Sequence, residues 1–313
     1  MTDAAPIPFV AVLGPTAAGK SALGLELAQR LDGEIVACDS LQIYRGMDIG
    51  TGKPTREEQR LVPHHLLDLA DPDQPFHAAR WAALAGTAIA DIAARGRLPI
   101  VVGGTGLYYR ALTVGLFDAP APDESIRQRH RALAAEIGSE ALHARLAAID
   151  PATASAISPR DLIRISRALE VHEQTGVTVS TLRARQRQAS DRLWPWRPYA
   201  IVLDPPLPDL RRRIGERVAG MMAAGFLDEV RALRAAGFGA GCKPMQALGY
   251  RQLGEHLDGT GTLDEAVAAT IAATVAYARR QRTWFRKEAA AARLAALPAV
   301  GELCTAIAEA RAS

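Results

Sequence analysis

The chain has 313 residues and a mass of 33.4 kDa, enough for one large domain or a main domain carrying a smaller one, which excludes peptide-like and cofactor-stapled folds. Hydrophobic residues make up 49%, charged residues 23%, and mean hydropathy is +0.00, values of an ordinary folded chain rather than a disordered, collagenous or membrane one. A net charge of +3 and a pI of about 8.9 are too mildly basic to name a nucleic-acid partner; only Lys20, Lys53, Lys243 and Lys287 are lysine among the 37 basic residues, and it is the clustering of the arginines that carries information. Cys38, Cys242 and Cys304 are odd in number and far apart, so neither a disulfide framework nor a zinc site can be drawn from them. No apolar run approaches the roughly 20 residues that cross a bilayer. The opening MTDAAPIPF lacks the pattern of a secretory leader, so the expectation is a cytosolic protein with no membrane association.

The first hundred residues alternate strand and helix. PFVAVL (8 to 13) is an apolar strand ending at Gly14, and Leu23, Leu27 and Leu31, four apart, predict an amphipathic helix after it. Gly33 ends that helix, and residues 34 to 38 form a second strand closed by Asp39 and Ser40. Thr55 with Glu58 has the spacing of a capping box. An alanine-rich helix runs from about Phe76 to Arg95, and LPIVV (98 to 102) is a third strand that breaks into Gly103-Gly104-Thr105-Gly106. Strand–helix alternation predicts a parallel sheet, and such sheets bind ligands at the C-terminal ends of their strands.

The character changes past the proline-punctuated DAPAPDE (118 to 124). Residues 124 to 190 have helical composition, with segments at 124 to 137, 140 to 148 and 160 to 174. A strand at 199 to 206 returns to the sheet, and Thr262 with Glu265 caps a long helix reaching about Glu288. The domain expectation is a core of residues 1–122 and 199–313, interrupted by a helical insertion at 123–198.

Gly14, Pro15, Thr16, Ala17, Ala18, Gly19, Lys20 and Ser21 fit the phosphate-loop spacing between a strand and a helix, the context the pattern demands. Its glycines let the backbone wrap closely, N–H groups and the helix N-terminus meet phosphate oxygens, Lys20 supplies a cation, and the Ser21 hydroxyl can ligate Mg²⁺. The fold class is therefore α/β: a P-loop NTPase-like parallel sheet flanked by helices, carrying an inserted, mostly helical subdomain. The strand at 98 to 102 ends without the carboxylate that a motor ATPase would place there. The carboxylate is Asp39 instead, suited to general-base or metal-shell duty, or to an Asx turn closing its strand.

Beyond the loop, CDSLQIYRGMDIGTGKP (38 to 54), VPHHLLDLADPDQPF (62 to 76), GGTGLYYRAL (103 to 112), IRISRALEV (163 to 171), RIGERVAGMMAAGFLDEV (213 to 230), ALGYRQL (247 to 253) and RRQRTWFRK (279 to 287) follow in order. Together they resemble the bacterial tRNA dimethylallyltransferases over essentially residues 8 to 288. The resemblance implies transfer of a dimethylallyl group from dimethylallyl diphosphate to N6 of adenosine 37, in tRNAs reading codons that begin with U. The phosphate loop would then hold the diphosphate in place of ATP, with Mg²⁺ at Ser21. Asp39 matches the family's base, and Thr105 and Arg217 match positions used at the diphosphate and reacting centre.

The resemblance also implies contacts to the tRNA anticodon stem-loop. Asp39, Ser40, Leu41 and Gln42 match the segment touching the target base; Ile163, Arg164, Ile165, Ser166 and Arg167 match a second block; Lys243 to Gly249, with Arg251 beyond, match a third. Arg183, Arg185, Arg187, Arg192 and Arg197 lie near Trp194, Trp196 and Tyr199 against a single Asp191, a mixture that suits RNA or a solvated charged face. Gly52 departs from the alanine frequent in the family. His64, His65 and His77 lack metal-ligand spacing and are expected as capping or core residues. No obligate protein partner is implied. The competing expectation is a phosphate-loop kinase of a nucleotide or small metabolite.

Overall fold

A computed structural model describes residues 7–193, 195–297 and 299–312, the side chains of 187–193 and Ala312 excepted. The chain divides into two compact units, Met1–Thr113 with Pro195–Ser313, and Val114–Trp194. The first unit begins with β1 (Ile7–Leu13), α1 (Lys20–Arg30), β2 (Gly33–Cys38), α2 (Arg56–Leu61), β3 (His64–His65), α3 (Ala78–Ala94), β4 (Leu98–Gly103) and α4 (Gly106–Thr113). The second unit holds α5 (Glu124–Ile137), α6 (Ser139–Ile149), α7 (Pro151–Ser155), α8 (Leu162–Thr175) and α9 (Val179–Leu193). The first then resumes with β5 (Trp196–Leu203), α10 (Leu207–Ala223), α11 (Phe226–Ala235), a 3-10 turn (Lys243–Gln246), α12 (Tyr250–Leu257), α13 (Leu263–Phe285), β6 (Ala292–Leu294) and α14 (Val300–Ala312).

All strands run parallel in the order β3-β2-β4-β1-β5-β6. Apolar runs serve here because helices cover both faces of the sheet. Phe9, Ala11 and Leu13 of β1 pack with Val101 and with Trp81, Ile89 and Ile92 of α3. Val10 and Val12 point the other way, onto Leu23 and Leu27 of α1 and onto Leu303 and Ile307 of α14. The fully buried Trp81 donates its indole N–H to the Ala37 carbonyl at 3.0 Å, so the largest core side chain leaves no polar atom unpaired. Both capping boxes form, Thr55 with Glu58 and Thr262 with Glu265.

The second unit has its own core, centred on Leu142, Leu146, Ile165, Leu169, Val171 and Val179. Its limits lie at Val114 and Trp194, not at 123 and 198. The return strand begins earlier than expected because Trp196 to Tyr199 already pair with Ile7 to Val10. Two strands escaped the sequence reading. β6 is short, and β3 consists of His64 and His65 pairing with Ile35 and Val36, so these histidines form a sheet edge and are neither caps nor core. Among the described residues no helix is long and apolar enough to cross a membrane.

Candidate active site

A cleft of about 620 Å³ opens at the C-terminal ends of β1, β2 and β4, lined among others by Thr16, Lys20, Ser21, Asp39, Gln42 and Arg217. β2 is not next to β1; β4 lies between them. Asp39 is therefore one strand removed from the phosphate loop, and the two glycines ending β4 close the gap. A Cβ on Gly103 would sit 2.0 Å from the Cys38 carbonyl oxygen, and one on Gly104 would sit 2.4 Å from Gln281 Nε2. Any side chain there would push the loops apart.

Gly14 to Ser21 form the expected loop at the head of α1, with Gly19 in the left-handed region at φ 94°. Lys20 Nζ donates to the Pro15 carbonyl at 2.7 Å, and the exposed Ser21 reaches the cleft. The loop is tied across the sheet end by Gln281 of α13, whose Oε1 accepts from Thr16 N–H at 2.9 Å while its Nε2 donates to the Gly104 carbonyl at 2.8 Å.

Asp39 does make the Asx turn, its Oδ1 accepting from Leu41 N–H at 2.8 Å. Among the described residues its other oxygen has no hydrogen bond within the chain, so the turn leaves one carboxylate oxygen for chemistry. Thr105 does not line the cleft. Its hydroxyl accepts from Ser40 N–H at 3.1 Å and its own N–H donates to the Cys38 carbonyl at 3.3 Å, which makes it the brace of the Asp39 turn.

Arg217 reaches in from α10 and donates to the Thr51 carbonyl at 3.3 Å. Gly52, at φ 62°, lies directly against this side chain: a Cβ there would stand 2.1 Å from Arg217 Nη2, so an alanine would require the guanidinium to shift. Burial holds Lys20 down to about 8, the neighbouring Arg217 cation adds to the effect, and Asp39 opposes it. Burial lowers Arg217 too, again against Asp39. Two enclosed cations thus share one carboxylate, an imbalance that a polyanion relieves.

The other expected contact residues divide. Ser40, Leu41 and Gln42 line the cleft, and Gln42 Nε2 donates to the Gly52 carbonyl at 3.0 Å. Lys243 and Arg251 are exposed away from the cleft lining, Arg251 in an ion pair with Glu255. Gly249 is buried against the Phe226 ring, so its role there is packing. Ile163 to Arg167 lie in the second unit, where Ile163 is 84% exposed and Arg164 is exposed, beside the capping Asp161. Ile165 and Ser166 are corrected: both are buried, Ile165 within the unit's core and Ser166 bonded to His130 at 2.9 Å, because helical spacing turns them inward. Arg167 is half-buried, holding Glu170 at 2.8 Å and the Pro120 carbonyl at 2.7 Å.

In the 179–200 segment, Arg183 lies 5.8 Å over the Phe117 ring, Arg185 and Arg197 are exposed, and Trp196 and Tyr199 belong to β5 and pack on the sheet's cores. The side chains of Arg187, Asp191, Arg192 and Trp194 lie outside the described residues. The sequence reading missed the face of α13 toward the cleft: Thr270, Thr274, Tyr277 and Gln281 all line it. Their spacing of four, three and four in an alanine-rich helix is the signal that could have found them. Burial raises Tyr277 to about 12, with Asp39 adding to the effect, so its hydroxyl stays protonated.

With this geometry in hand, comparison with known proteins is specific. A family model described as IPP transferase matches residues 42–288, and one described as isopentenyl transferase matches residues 8–68. The tRNA dimethylallyltransferase of Anaeromyxobacter dehalogenans (strain 2CP-C) is 52% identical over 280 residues, covering 90% of this chain and 92% of that protein. The protein of the same name from Roseiflexus sp. (strain RS-1) is 50% identical over 283 residues, covering 90% of each. In three dimensions, the crystal structure of the full-length tRNA isopentenylpyrophosphate transferase of Bacillus halodurans superimposes with a TM-score of 0.67 at 37% identity, covering 98% of this chain and 96% of that one. A eukaryotic dimethylallyltransferase acting on tRNA gives a TM-score of 0.68 at 26% identity, over 89% of this chain and 69% of that one. The phosphate loop, the braced Asp39 turn and the matches over nine-tenths of the chain agree: this chain belongs to the IPP transferase family.

Proposed function

We propose that this protein transfers a dimethylallyl group from dimethylallyl diphosphate to N6 of adenosine 37 in tRNAs that read codons beginning with U, releasing diphosphate, and that it works in the cytoplasm. The observation that carries the reading is the pair of cleft cations, Lys20 and Arg217, facing the carboxylate of Asp39. The cations match a diphosphate that must leave with its charge stabilised, and the carboxylate matches an amine that must lose a proton.

In the reaction the N6 lone pair attacks C1 of the allylic group, the C1–O bond breaks, and the electron pair leaves with the diphosphate. The N6 proton passes to Asp39. An exocyclic adenine amine is a weak nucleophile because its lone pair is delocalised into the ring, so removing the proton as the bond forms lowers the barrier. Gly14 to Ser21 would receive the diphosphate on backbone N–H groups, with Lys20 and the Arg217 fork on its oxygens. Thr105 holds the turn that aims Asp39. Gln42, with its amide nitrogen engaged by the Thr51 and Gly52 carbonyls, presents its carbonyl oxygen to a donor on the base. The target adenosine would leave its stack to bring N6 to Asp39 in the cleft, with arginines on the flanking phosphates.

Magnesium fits the donor set. No group of three or more His, Cys, Asp or Glu side chains able to hold a metal exists among the described residues, which suits an ion carried mainly by substrate phosphates, and Ser21 and Asp39 offer hard oxygens beside the loop. The ion supplies charge neutralisation at the departing diphosphate when bound.

The test incubates the protein with Mg²⁺, unmodified tRNA bearing adenosines at positions 36, 37 and 38, and either dimethylallyl diphosphate or ATP, followed by nucleoside mass analysis. One prenyl unit on adenosine, seen only with the diphosphate, is the expected result. Phosphate moved from ATP to an acceptor, with no change in the nucleosides, would overturn the reading in favour of a kinase.

A further inference from the structure

Glu229 lies on α11, outside every residue assigned above, and its carboxylate is saturated with donors. The N–H groups of Asp48 and Ile49 reach Oε2 at 2.9 and 2.6 Å, Gly50 N–H reaches Oε1 at 3.1 Å, and the Tyr250 hydroxyl donates to Oε1 at 2.7 Å. Three successive backbone N–H groups form a concavity that calls for negative charge, and Glu229 supplies that charge from within the chain. The opposite side of the same loop faces the cleft. The Thr51 carbonyl accepts from Arg217 Nη2 at 3.3 Å and from Gln42 Nε2 at 3.4 Å, and the Gly52 carbonyl accepts from Gln42 at 3.0 Å. The loop is therefore a plate with Glu229 behind it and two cleft side chains in front.

We propose that Glu229 is a positioning residue: its carboxylate fixes the 48–52 loop, and through the Thr51 and Gly52 carbonyls sets where Arg217 and Gln42 stand in the cleft. The Thr51 and Gly52 peptide planes are tied by turn bonds, Gly52 N–H to the Ile49 carbonyl at 3.0 Å and Lys53 N–H to the Asp48 carbonyl at 2.9 Å, and those two accepting carbonyls share their own peptide planes with the Gly50 and Ile49 N–H groups that Glu229 holds. Phe226 and Tyr250 press on the loop from the apolar side, with the Phe226 ring 2.1 Å from where a Gly50 Cβ would be, and contacts of that kind hold the loop down without choosing how its peptide planes are turned. Lys53, which donates to the Tyr44 carbonyl at 2.9 Å and to Asp48 and Asp68, closes the far end. Glu229 is the group that turns the N–H groups of 48 to 50 away from the cleft. A displacement of about 1 Å in a positioned group can cost about 10²-fold in rate.

The inference rests on the cleft being the prenyl-transfer site, but its physical content is the placement of Arg217, which can be read without turnover. Glu229→Ala, Glu229→Gln and Tyr250→Phe are made in the full chain and compared with the parent protein. Three quantities are measured: the melting transition, the affinity for inorganic diphosphate with Mg²⁺, and the single-turnover transfer rate together with tRNA affinity. Glutamine keeps one accepting oxygen for Asp48 and Ile49 but sets an NH₂ group against Gly50 N–H, so it should fall between the parent and alanine.

The expected result is cooperative melting throughout. For Glu229→Ala we expect about tenfold weaker diphosphate binding and about 10²-fold slower transfer, with tRNA affinity within about threefold, as misplacement of charge-assisted contacts requires. Tyr250→Phe, which leaves the three N–H bonds intact, should stay nearest the parent. A purely structural role would scale all losses with the melting temperature and weaken tRNA binding equally, and that pattern overturns the proposal. So does a folded Glu229→Ala with parental diphosphate affinity. If the alanine variant does not fold, Glu229→Gln decides, and parental affinity and rate in that variant overturn the proposal. Should the parent protein transfer no prenyl group at all, it is the functional reading that falls, and the diphosphate affinities still decide the placement of Arg217.

Discussion

Replacing Asp39 by asparagine separates proton transfer from turn formation. Oδ1 accepts Leu41 N–H at 2.8 Å, and asparagine keeps an oxygen at that position while losing the basicity. A positioned general base contributes about 10²–10⁴-fold, or about 2.7–5.5 kcal/mol of barrier at about 1.4 kcal/mol per tenfold. Asp39→Asn should therefore lose that factor in single-turnover transfer at saturating tRNA and diphosphate substrate, with its melting temperature unchanged. Asp39→Ala should lose as much activity and also about 0.5–1.5 kcal/mol of stability, the usual net worth of the hydrogen bond it gives up. Asp39 is also the group favouring the charged forms of Lys20 and Arg217. Without it the cleft is more positive, so inorganic diphosphate should bind no more weakly at pH 7 when Mg²⁺ is absent. The assay is quenched-flow nucleoside analysis beside calorimetric titration. Transfer by Asp39→Asn within about threefold of the parent rate would refute the assignment of a base, which is held to at least about 10²-fold. Unchanged diphosphate affinity without Mg²⁺, but lost affinity with it, would move Asp39 to the metal shell.

Lys20 is held at about 8 in place of 10.5, so above that pH diphosphate must restore its proton; affinity should fall about tenfold per pH unit and binding should take up a proton, while Lys20→Arg should abolish that slope, as titrations at pH 7 and 9 in two buffers will report. Ile165 is fully buried and Ile163 is 84% exposed, so in denaturant unfolding Ile165→Ala should cost about 2–5 kcal/mol and Ile163→Ala under about 0.5. The reverse order would restore Ile165 to the contact surface. Gln281→Glu keeps an acceptor for Thr16 N–H but turns an oxygen toward the Gly104 carbonyl, so it should destabilise by about 1–3 kcal/mol and weaken diphosphate binding; a parental melting curve and affinity would remove the strap from the account.

Much of this was legible in one dimension because it is local. The phosphate loop depends on residues 14 to 21 alone, both capping boxes on spacings of three, and the buried strands on apolar runs that only a sheet covered on both faces would use. The ordered blocks from 38 to 287 pointed to the family, and the comparisons agree. His64 and His65 were misread because a two-residue strand has no periodicity to detect; only the neighbouring Ile35 and Val36 make it one.

The sequence by itself determined the phosphate-loop pattern, the family and the class of sheet, since each is written in contiguous residues or repeated spacings. Tertiary structure alone decided the strand order that inserts β4 between Asp39 and the loop, the inward turn of Ile165 and Ser166, and the strap from Gln281 to Thr16 across 265 positions of chain. It decided as well that Glu229 faces the N–H groups of residues 48 to 50, roughly 180 positions away in the chain. The reason is physical: a hydrogen bond between distant residues leaves no pattern along the chain, because its partners become neighbours only when the core is buried and every enclosed N–H and C=O must find a mate.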